Sequence, residues 1–321
     1  MAQAVNEALA EELRRDERVF IVGEDVAEAG TPFKVLSGLV EEFGPERVRD
    51  SPISEAGITG LAVGAAMTGL RPVVDIMFGD FLTLVMDQLV NQAAKAHYMS
   101  GGNLTVPLVL RTTLGATRRS AAQHSQSLQA WVAHVPGLKV VLPSTPYDAK
   151  GLLKTAIRDD NPVVFIEDKL DFRIKGLVPA DEYTLPIGVA DVKREGADVT
   201  LVATSSMVRV CLDAAELLDA EGISAEVVDP RTLSPLDGET LVRSAEKTGR
   251  AIVVDEGHRS YGVTAELAAV IAERAFYHLD APVRRLGAMD VPVPFSPPLE
   301  DETVPTPETV AAAAVELCGQ T

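Results

Sequence analysis

The sequence predicts an α/β protein of two domains, each built on a largely parallel sheet covered by helices. Three observations carry that reading. Apolar runs of strand length, such as RVFIV, RPVVDIMF, VPLVLRTT and PVVFIEDK, are continuous rather than alternating, the pattern of strands buried on both faces. Segments of helical period separate them. The chain has 321 residues, more than one ordinary domain, and its alternation breaks between about Leu170 and Gly196 before a second strand–helix series begins.

In order, a helix is predicted over about 2–15, then a short buried strand at 19–22 ending in Gly-Glu-Asp. A glycine- and alanine-rich helix follows over about 55–69, then the strand RPVVDIMF, a helix over about 81–98 and the strand VPLVLRTT. The polar loop LGATRRSAAQHSQSL leads to a short helix, the strand LKVVLPS, a helix over 146–158 and the strand PVVFIEDK. KGLVPADEYTLPIGVADVKREG, rich in Pro, Gly and charge, reads as a linker with one edge strand. The second series runs VTLVATSS, a helix to about 220, SAEVVDP, a helix after SPLDGE, RAIVVDE and a helix over about 263–276. The strand PVRRLGA, the proline-rich VPVPFSPPLE and a final helix close the chain.

Apolar residues make up 46% and charged residues 24%, the profile of a soluble globular protein, and the net charge of −18 argues against general binding to nucleic acid or an anionic membrane. The two cysteines, Cys211 and Cys318, form no CxxC pair and have no histidine at metal-ligand spacing, so a reducing, cytoplasmic setting without disulfides is expected. The first residues lack the basic start and apolar core of a signal peptide, and no uninterrupted apolar run reaches membrane length.

A small set of residues invites a chemical reading. In SPISEAGITGLAVGAAMTGL, Glu55 heads an otherwise apolar helix. A carboxylate in the first turn is favoured by the helix dipole, with Ser54 or Ser51 as cap; the same carboxylate is also placed to hydrogen-bond a ligand. Gly57, Gly60 and Gly64 share one face, and small residues there serve either packing inside the domain or a close helix approach across a subunit interface. His124, in AAQHSQS, lies in a polar loop between apolar segments, either solvated or acting as proton donor and acceptor. Arg118 and Arg119 add charge suited to a phosphate, a carboxylate or an acidic partner surface. His97, His134, His258 and His278 form no cluster. Dinucleotide, Walker, zinc-protease and nucleophile-elbow motifs are all missing.

The long segments SPISEAGITGLAVGAAMTGLRPVVDIMF, DFLTLVMDQLVNQAAKAHYMSGG, AAQHSQSLQAW, VPGLKVVLPSTPYDAKGLLKTAIRDDNPVVF and RTLSPLD closely resemble the β subunits of thiamine-diphosphate-dependent 2-oxoacid dehydrogenases, the group that includes pyruvate, branched-chain and acetoin dehydrogenases. The similarity covers essentially the whole chain, with the motifs in the expected order. It implies a transketolase-like fold of two doubly wound α/β domains, a pyrimidine-binding domain over 1–185 and a transketolase C-terminal domain over 186–321. It implies that Glu55 hydrogen-bonds the pyrimidine ring nitrogen of thiamine diphosphate and so favours the imino tautomer of the neighbouring amino group. Phe81 matches the aromatic residue that packs on the pyrimidine, Leu84 lies near the cofactor where some relatives carry a polar residue, and His124 matches the histidine that handles the acyl intermediate or its transfer to dihydrolipoyl groups.

The magnesium–diphosphate motif of the superfamily is not in this chain. The resemblance places it, with Mg2+, on an α subunit joined to β in an α2β2 heterotetramer that hands acyl groups to a lipoyl-bearing acyltransferase. A family potassium site built from carbonyl oxygens maps to Leu108, Ala156, Ile157, Asp159 and Asn161. GATRRSAA stands where many relatives carry a more glycine-rich loop, and DEGHRSYG differs from pyruvate enzymes, so the substrate is left open between a 2-oxoacid and acetoin. The competing readings are a split transketolase-like ketol transferase and a non-catalytic scaffold; the QHSQS motif argues against the first, intact Glu55, Phe81 and His124 against the second.

Overall fold

The structure, a computed structural model, describes residues 1–319. It divides into two units. One comprises Met1–Leu114 with Trp131–Ile187, the other Gly115–Ala130 with the chain from Gly188.

In the first unit, α1 (Ala2–Arg15) leads to β1 (Val19–Gly23), a short α2 (Leu39–Phe43) and β2 (Val48–Asp50). Then come α3 (Glu55–Met67), β3 (Arg71–Ile76), α4 (Leu82–Met86) and α5 (Ala94–Met99), followed by β4 (Val109–Leu114). After α6 (Gln129–Ala133), the elements are β5 (Lys139–Val141), α7 (Pro146–Arg158) and β6 (Val163–Asp168). These six strands lie in the order β5-β6-β4-β3-β1-β2, and every pair is parallel.

The strands β1, β4 and β6 are buried along their whole length, as the continuous apolar runs require. Leu9 and Leu13 of α1, Leu152 and Leu153 of α7, and Ile21 and Phe165 of the sheet share one core. Above that core the two helices exchange charge. Lys150 and Lys154 reach Glu11 at 2.7 Å, and Arg158 reaches the buried Glu12 at 2.6 Å.

Two departures from the predicted elements have local causes. The single helix expected over 81–98 is continuous but not α-helical throughout. Asp87–Ala93 forms a π-helical segment between α4 and α5, with Asn91 Nδ2 donating to Asp87 across one turn at 2.7 Å. Apolar spacing did not reveal it, because Val85, Leu89 and Ala93 stay buried through the wider turn. Short β2 and α2 were not foreseen: β2 has one buried residue of three, Val48, and α2 one of five, Leu39.

The second unit holds β7 (Asp191–Arg194), β8 (Val199–Ala203), α8 (Met207–Ala220), β9 (Ala225–Asp229), β10 (Thr232–Ser234), α9 (Gly238–Thr248) and β11 (Ala251–His258). The last elements are α10 (Val263–Arg274), β12 (Arg284–Ala288), α11 (Pro297–Asp301) and α12 (Pro307–Cys318). Its sheet runs β12-β11-β8-β9-β7, parallel throughout except the edge strand β7. One core lies between the sheet, α8 and α12 and contains Cys211; another lies under α9 and α10. Neither Cys211 nor Cys318 is in a disulfide, and Cys318 packs at the edge of the first of these cores. Among the described residues no helix is long and apolar enough to cross a membrane.

Candidate active site

Ligands in open parallel sheets bind beyond the carboxyl ends of the strands, where the strand order reverses. In the first unit the chain leaves β1 to add β2 on one side and then β3 on the other. Glu24 follows β1, Glu55 opens the helix after β2, and Phe81 follows β3. Three candidate side chains thus stem from the three strands that define the reversal.

The exit from β1 is tight. A Cβ on Gly23 would stand 2.7 Å from the Asp75 carbonyl oxygen and 2.7 Å from Val26 Cγ1, so only glycine fits between the strands there. The next residue, Glu24, turns its carboxylate to the head of α3 and accepts the backbone N–H of Ser54. Ser54 occupies the N-cap position but makes no side-chain capping bond, and the Ser51 hydroxyl donates instead to the Pro52 carbonyl at 3.0 Å. The expected serine cap is therefore replaced by a carboxylate from another loop, which serves an unpaired helix N–H equally well.

Glu55 is 8% exposed. Burial raises the Glu24 carboxyl above its ordinary range, and the neighbouring charge of Glu55 raises it further. One Glu24 oxygen, Oε1, is buried without a hydrogen-bond partner. Two carboxyls held this close, one with an unmet acceptor, are a costly arrangement for stability alone and a common one at sites that handle protons. Glu24 was not singled out in the sequence; the available signal was a glutamate directly after the first buried strand, in VGED.

Phe81 is half-buried and closes an aromatic row. Its ring meets Phe78 edge-on at 5.9 Å, Phe78 meets Phe33 at 5.7 Å, and Phe33 meets Phe172 at 5.2 Å. Leu84, one turn on, is 51% exposed. Of the α3 glycines, Gly57 lies against its own cap residue, a Cβ there standing 2.7 Å from Ser54 Oγ, whereas Gly60 and Gly64 are not required for packing within the chain. The helix buries Ile58, Thr59, Ala62, Val63 and Ala66, while a Cβ on Gly64 would meet nothing within 4 Å and one on Gly60 only Gln88 Cγ at 3.6 Å.

Two family models describe the chain in sequence. The transketolase pyrimidine-binding domain matches residues 1–175 and the transketolase C-terminal domain residues 188–310. Acetoin:2,6-dichlorophenolindophenol oxidoreductase subunit beta of Bacillus subtilis (strain 168) is 50% identical over an alignment that spans all of this chain and 97% of that protein. The chain belongs to the family of 2-oxoacid and acetoin dehydrogenase β subunits. The 2-oxoisovalerate dehydrogenase subunit beta of the same organism is 48% identical, and the pyruvate dehydrogenase E1 component subunit beta of Rickettsia felis 46%; each alignment covers 98% of this chain and 97% of the relative. A solved split-gene transketolase, described as an inactive beta4 tetramer, superposes with a TM-score of 0.81 at 25% identity, covering 98% of this chain and 97% of that one.

The remaining positions to which the β-subunit family directs attention fall as follows. Glu55, Phe81 and Leu84 belong to the first unit, and His124 to the second. His124 is half-buried, and its backbone N–H turns back to the Ala121 carbonyl at 3.3 Å. Arg119, read from the sequence as charge available to an anion, is committed within the protein to Glu300 and Asp301, each at 2.8 Å. Those contacts hold its guanidinium above even the usual arginine range.

In the carbonyl cluster, the Leu108 oxygen accepts from Val163 N–H at 2.8 Å. The Ile157 and Asp159 oxygens both accept from one Arg71 nitrogen at 3.0 Å, and the Asp159 side chain pairs with Lys139 and Asn161. These two carbonyls therefore converge on a cationic point, with a guanidinium standing in it.

Proposed function

We propose that this chain is the β half of a thiamine-diphosphate-dependent dehydrogenase. Paired with an α chain as an α2β2 heterotetramer, it acts on a 2-oxoacid or on acetoin and passes the acyl group to the lipoyl group of an acyltransferase. The observation that carries the reading is the buried Glu55 carboxylate at the strand-order reversal, beside a second carboxyl with an unmet oxygen. The relatives at 46–50% identity, all named as dehydrogenase or acetoin oxidoreductase β subunits, favour this over a ketol transferase.

The roles are those that the resemblance to the β-subunit family implies for this chain's residues, and the geometry is compatible with them. Thiamine diphosphate, when bound, supplies an electron sink for breaking a bond next to a carbonyl carbon. Glu55 holds a proton at the pyrimidine ring nitrogen. Burial keeps water from competing for that hydrogen bond and strengthens it. Glu24, raised above the ordinary carboxyl range by burial and by the neighbouring Glu55, stands beside it at the head of α3. Phe81, braced by Phe78, offers its ring to the pyrimidine, and Leu84 adds an apolar wall. His124 serves acyl handover. Mg2+ and the diphosphate are assigned to the α chain, and the exposed glycine face of α3 to contact with another subunit. The domains divide near residue 185. Two cysteines outside any disulfide fit a cytoplasmic location.

Titration calorimetry tests the pairing. Thiamine diphosphate with Mg2+ should bind the α–β mixture at least tenfold more tightly than either chain alone; equal affinity for isolated β would sink the proposal. Reductive acylation by the assembled enzyme, compared across pyruvate, branched 2-oxoacids and acetoin with a dye as alternative acceptor, then identifies the substrate. Cofactor binding without turnover of any of these would transfer the assignment to ketol transfer.

A potassium ion at Leu108, Ala156, Ile157, Asp159 and Asn161 would share two carbonyls with Arg71. If it binds there, the thermal midpoint should be higher in KCl than in NaCl at equal ionic strength, and identical midpoints would remove it from the proposal.

A further inference from the structure

The segment Gly115–Ala130, which carries His124, is built into the second unit rather than the first. Its first half is a backbone that no local preference explains. Gly115, Thr117, Arg119 and Ala121 alternate in the left-handed region, with φ of 110°, 66°, 61° and 60°. Three of these are not glycine, and such conformations persist only where surrounding contacts hold them.

Those contacts are at Arg119. Its backbone N–H faces both carboxylate oxygens of Glu300, at 3.4 and 3.2 Å. Its guanidinium donates to Glu300 at 2.8 Å, to the Pro297 carbonyl at 3.2 Å and to Asp301 at 3.0 Å. Glu300 is fully buried in the short α11, with Arg119 as its cationic partner.

A second anchor stands on the other side of the histidine. Gln129 donates from Nε2 to Asp255 Oδ2 at 2.8 Å, and Asp255, buried near the end of β11, also accepts the Thr204 hydroxyl and the Gly257 N–H. Arg119 and Gln129 each lie five residues from His124. The chain between them is therefore tied at both ends to the C-terminal unit.

We infer that the C-terminal unit has a part in the reaction itself: through the Arg119–Glu300–Asp301 and Gln129–Asp255 anchors it sets the position of His124, making Arg119 and Gln129 positioning residues for acyl transfer. This rests on the proposed role of His124. Neither anchor touches cofactor or substrate in this reading. Their effect runs through the histidine.

The test is a double-mutant cycle on the assembled α–β enzyme, reading acyl transfer to a lipoyl domain and thiamine diphosphate affinity. Arg119→Ala should lower acyl transfer about 10- to 50-fold, with cofactor affinity changed less than twofold. Gln129→Ala should lower it about three- to tenfold. In the His124→Ala background each second substitution should add less than twofold, because its target is gone. Losses that multiply in the double variants, or Arg119→Ala with full acyl transfer, would overturn the inference. Unimpaired His124→Ala would overturn the underlying role as well, and so separates the two failures. If Arg119→Ala does not assemble, Asp301→Asn removes only the exposed part of the clamp; it should give a smaller loss with the same non-additivity, and additive behaviour there would equally overturn the inference.

Discussion

Glu55→Gln is expected to lower turnover of the assembled enzyme by about 10²-fold or more while leaving the fold intact, the scale associated with losing a positioned proton-transfer group. The substitution keeps the shape of the side chain at the head of α3 and removes its charge. Nothing in the packing of α3 requires that charge, because the helix is held by its buried apolar face and its first N–H groups are met partly by Glu24. The thermal midpoint should therefore not fall. It should hold or rise slightly, since Glu55 and Glu24 no longer repel one another.

The same variant has a spectroscopic consequence. Burial and the charge of Glu55 are the largest causes that raise the Glu24 carboxyl; with Glu55 neutral, burial and the smaller effect of Asp25 remain, so Glu24 should titrate closer to an ordinary glutamate. Infrared difference titration of the carboxyl band reads this directly. Turnover within threefold of the wild type would end the assignment of Glu55 as the proton-holding group.

Arg111→Met is expected to destabilise the first unit by about 3–5 kcal/mol near neutral pH, the scale for breaking a buried ion pair by removing one partner. Arg111 on β4 lies between Asp75 on β3 and Glu167 on β6, all three buried, with Nη2 2.6 Å from Glu167 and Nη1 in contact with Asp75. Without the guanidinium two buried carboxyls face each other unpaired.

The effect should depend on pH, with a sign that follows from the carboxyls. Burial, opposed by Arg111, leaves Glu167 raised to about 7, and Asp75 is raised as well. A carboxyl that binds its proton more tightly when folded favours the fold at acid pH and loses that contribution as pH climbs toward the folded value. For Glu167 the window runs from its unfolded value near 4.5 up to about 7. Removing Arg111 takes away what favours the ionised forms and pushes both carboxyls further up. The penalty should thus be small at pH 5 and grow through pH 8. Urea unfolding at pH 5 and pH 8 measures it; a penalty equal at both, or larger at pH 5, would show that the triad is not electrostatically coupled in this way.

Much of the fold could be read before the structure. The edges of α1 and α7 fall where the periodicity ends, because capping residues and buried faces are local properties: Thr145 caps α7 by accepting from Asp148 N–H, and Pro146 opens it. The central strands of both sheets were legible as continuous apolar runs, whereas the short β2 and β10 were not. The π-helical segment was not, because it keeps the same residues buried as an α-helix would. Nor was the short α11 inside VPVPFSPPLE, where proline content masked a turn opened by Pro297.

The candidate site divides in the same way. Glu55, Phe81, Leu84 and His124 were singled out from the sequence, and membership of the family follows from sequence similarity. What the first two sit beside depended on strand order. Glu24 becomes a neighbour of Glu55 only because the strand order reverses around β1, bringing residues 31 positions apart to one helix end. Arg119 looked like charge awaiting a ligand and is held by Glu300, 181 positions away, because a buried carboxylate requires a cation and the fold supplies this one. The sequence by itself determined the two α/β series, their buried strands and the identity of the chemical groups, since periodicity and residue type are local. Tertiary structure alone decided which charges are paired, which oxygen is left unmet and which unit carries His124, since those depend on contacts between segments distant along the chain.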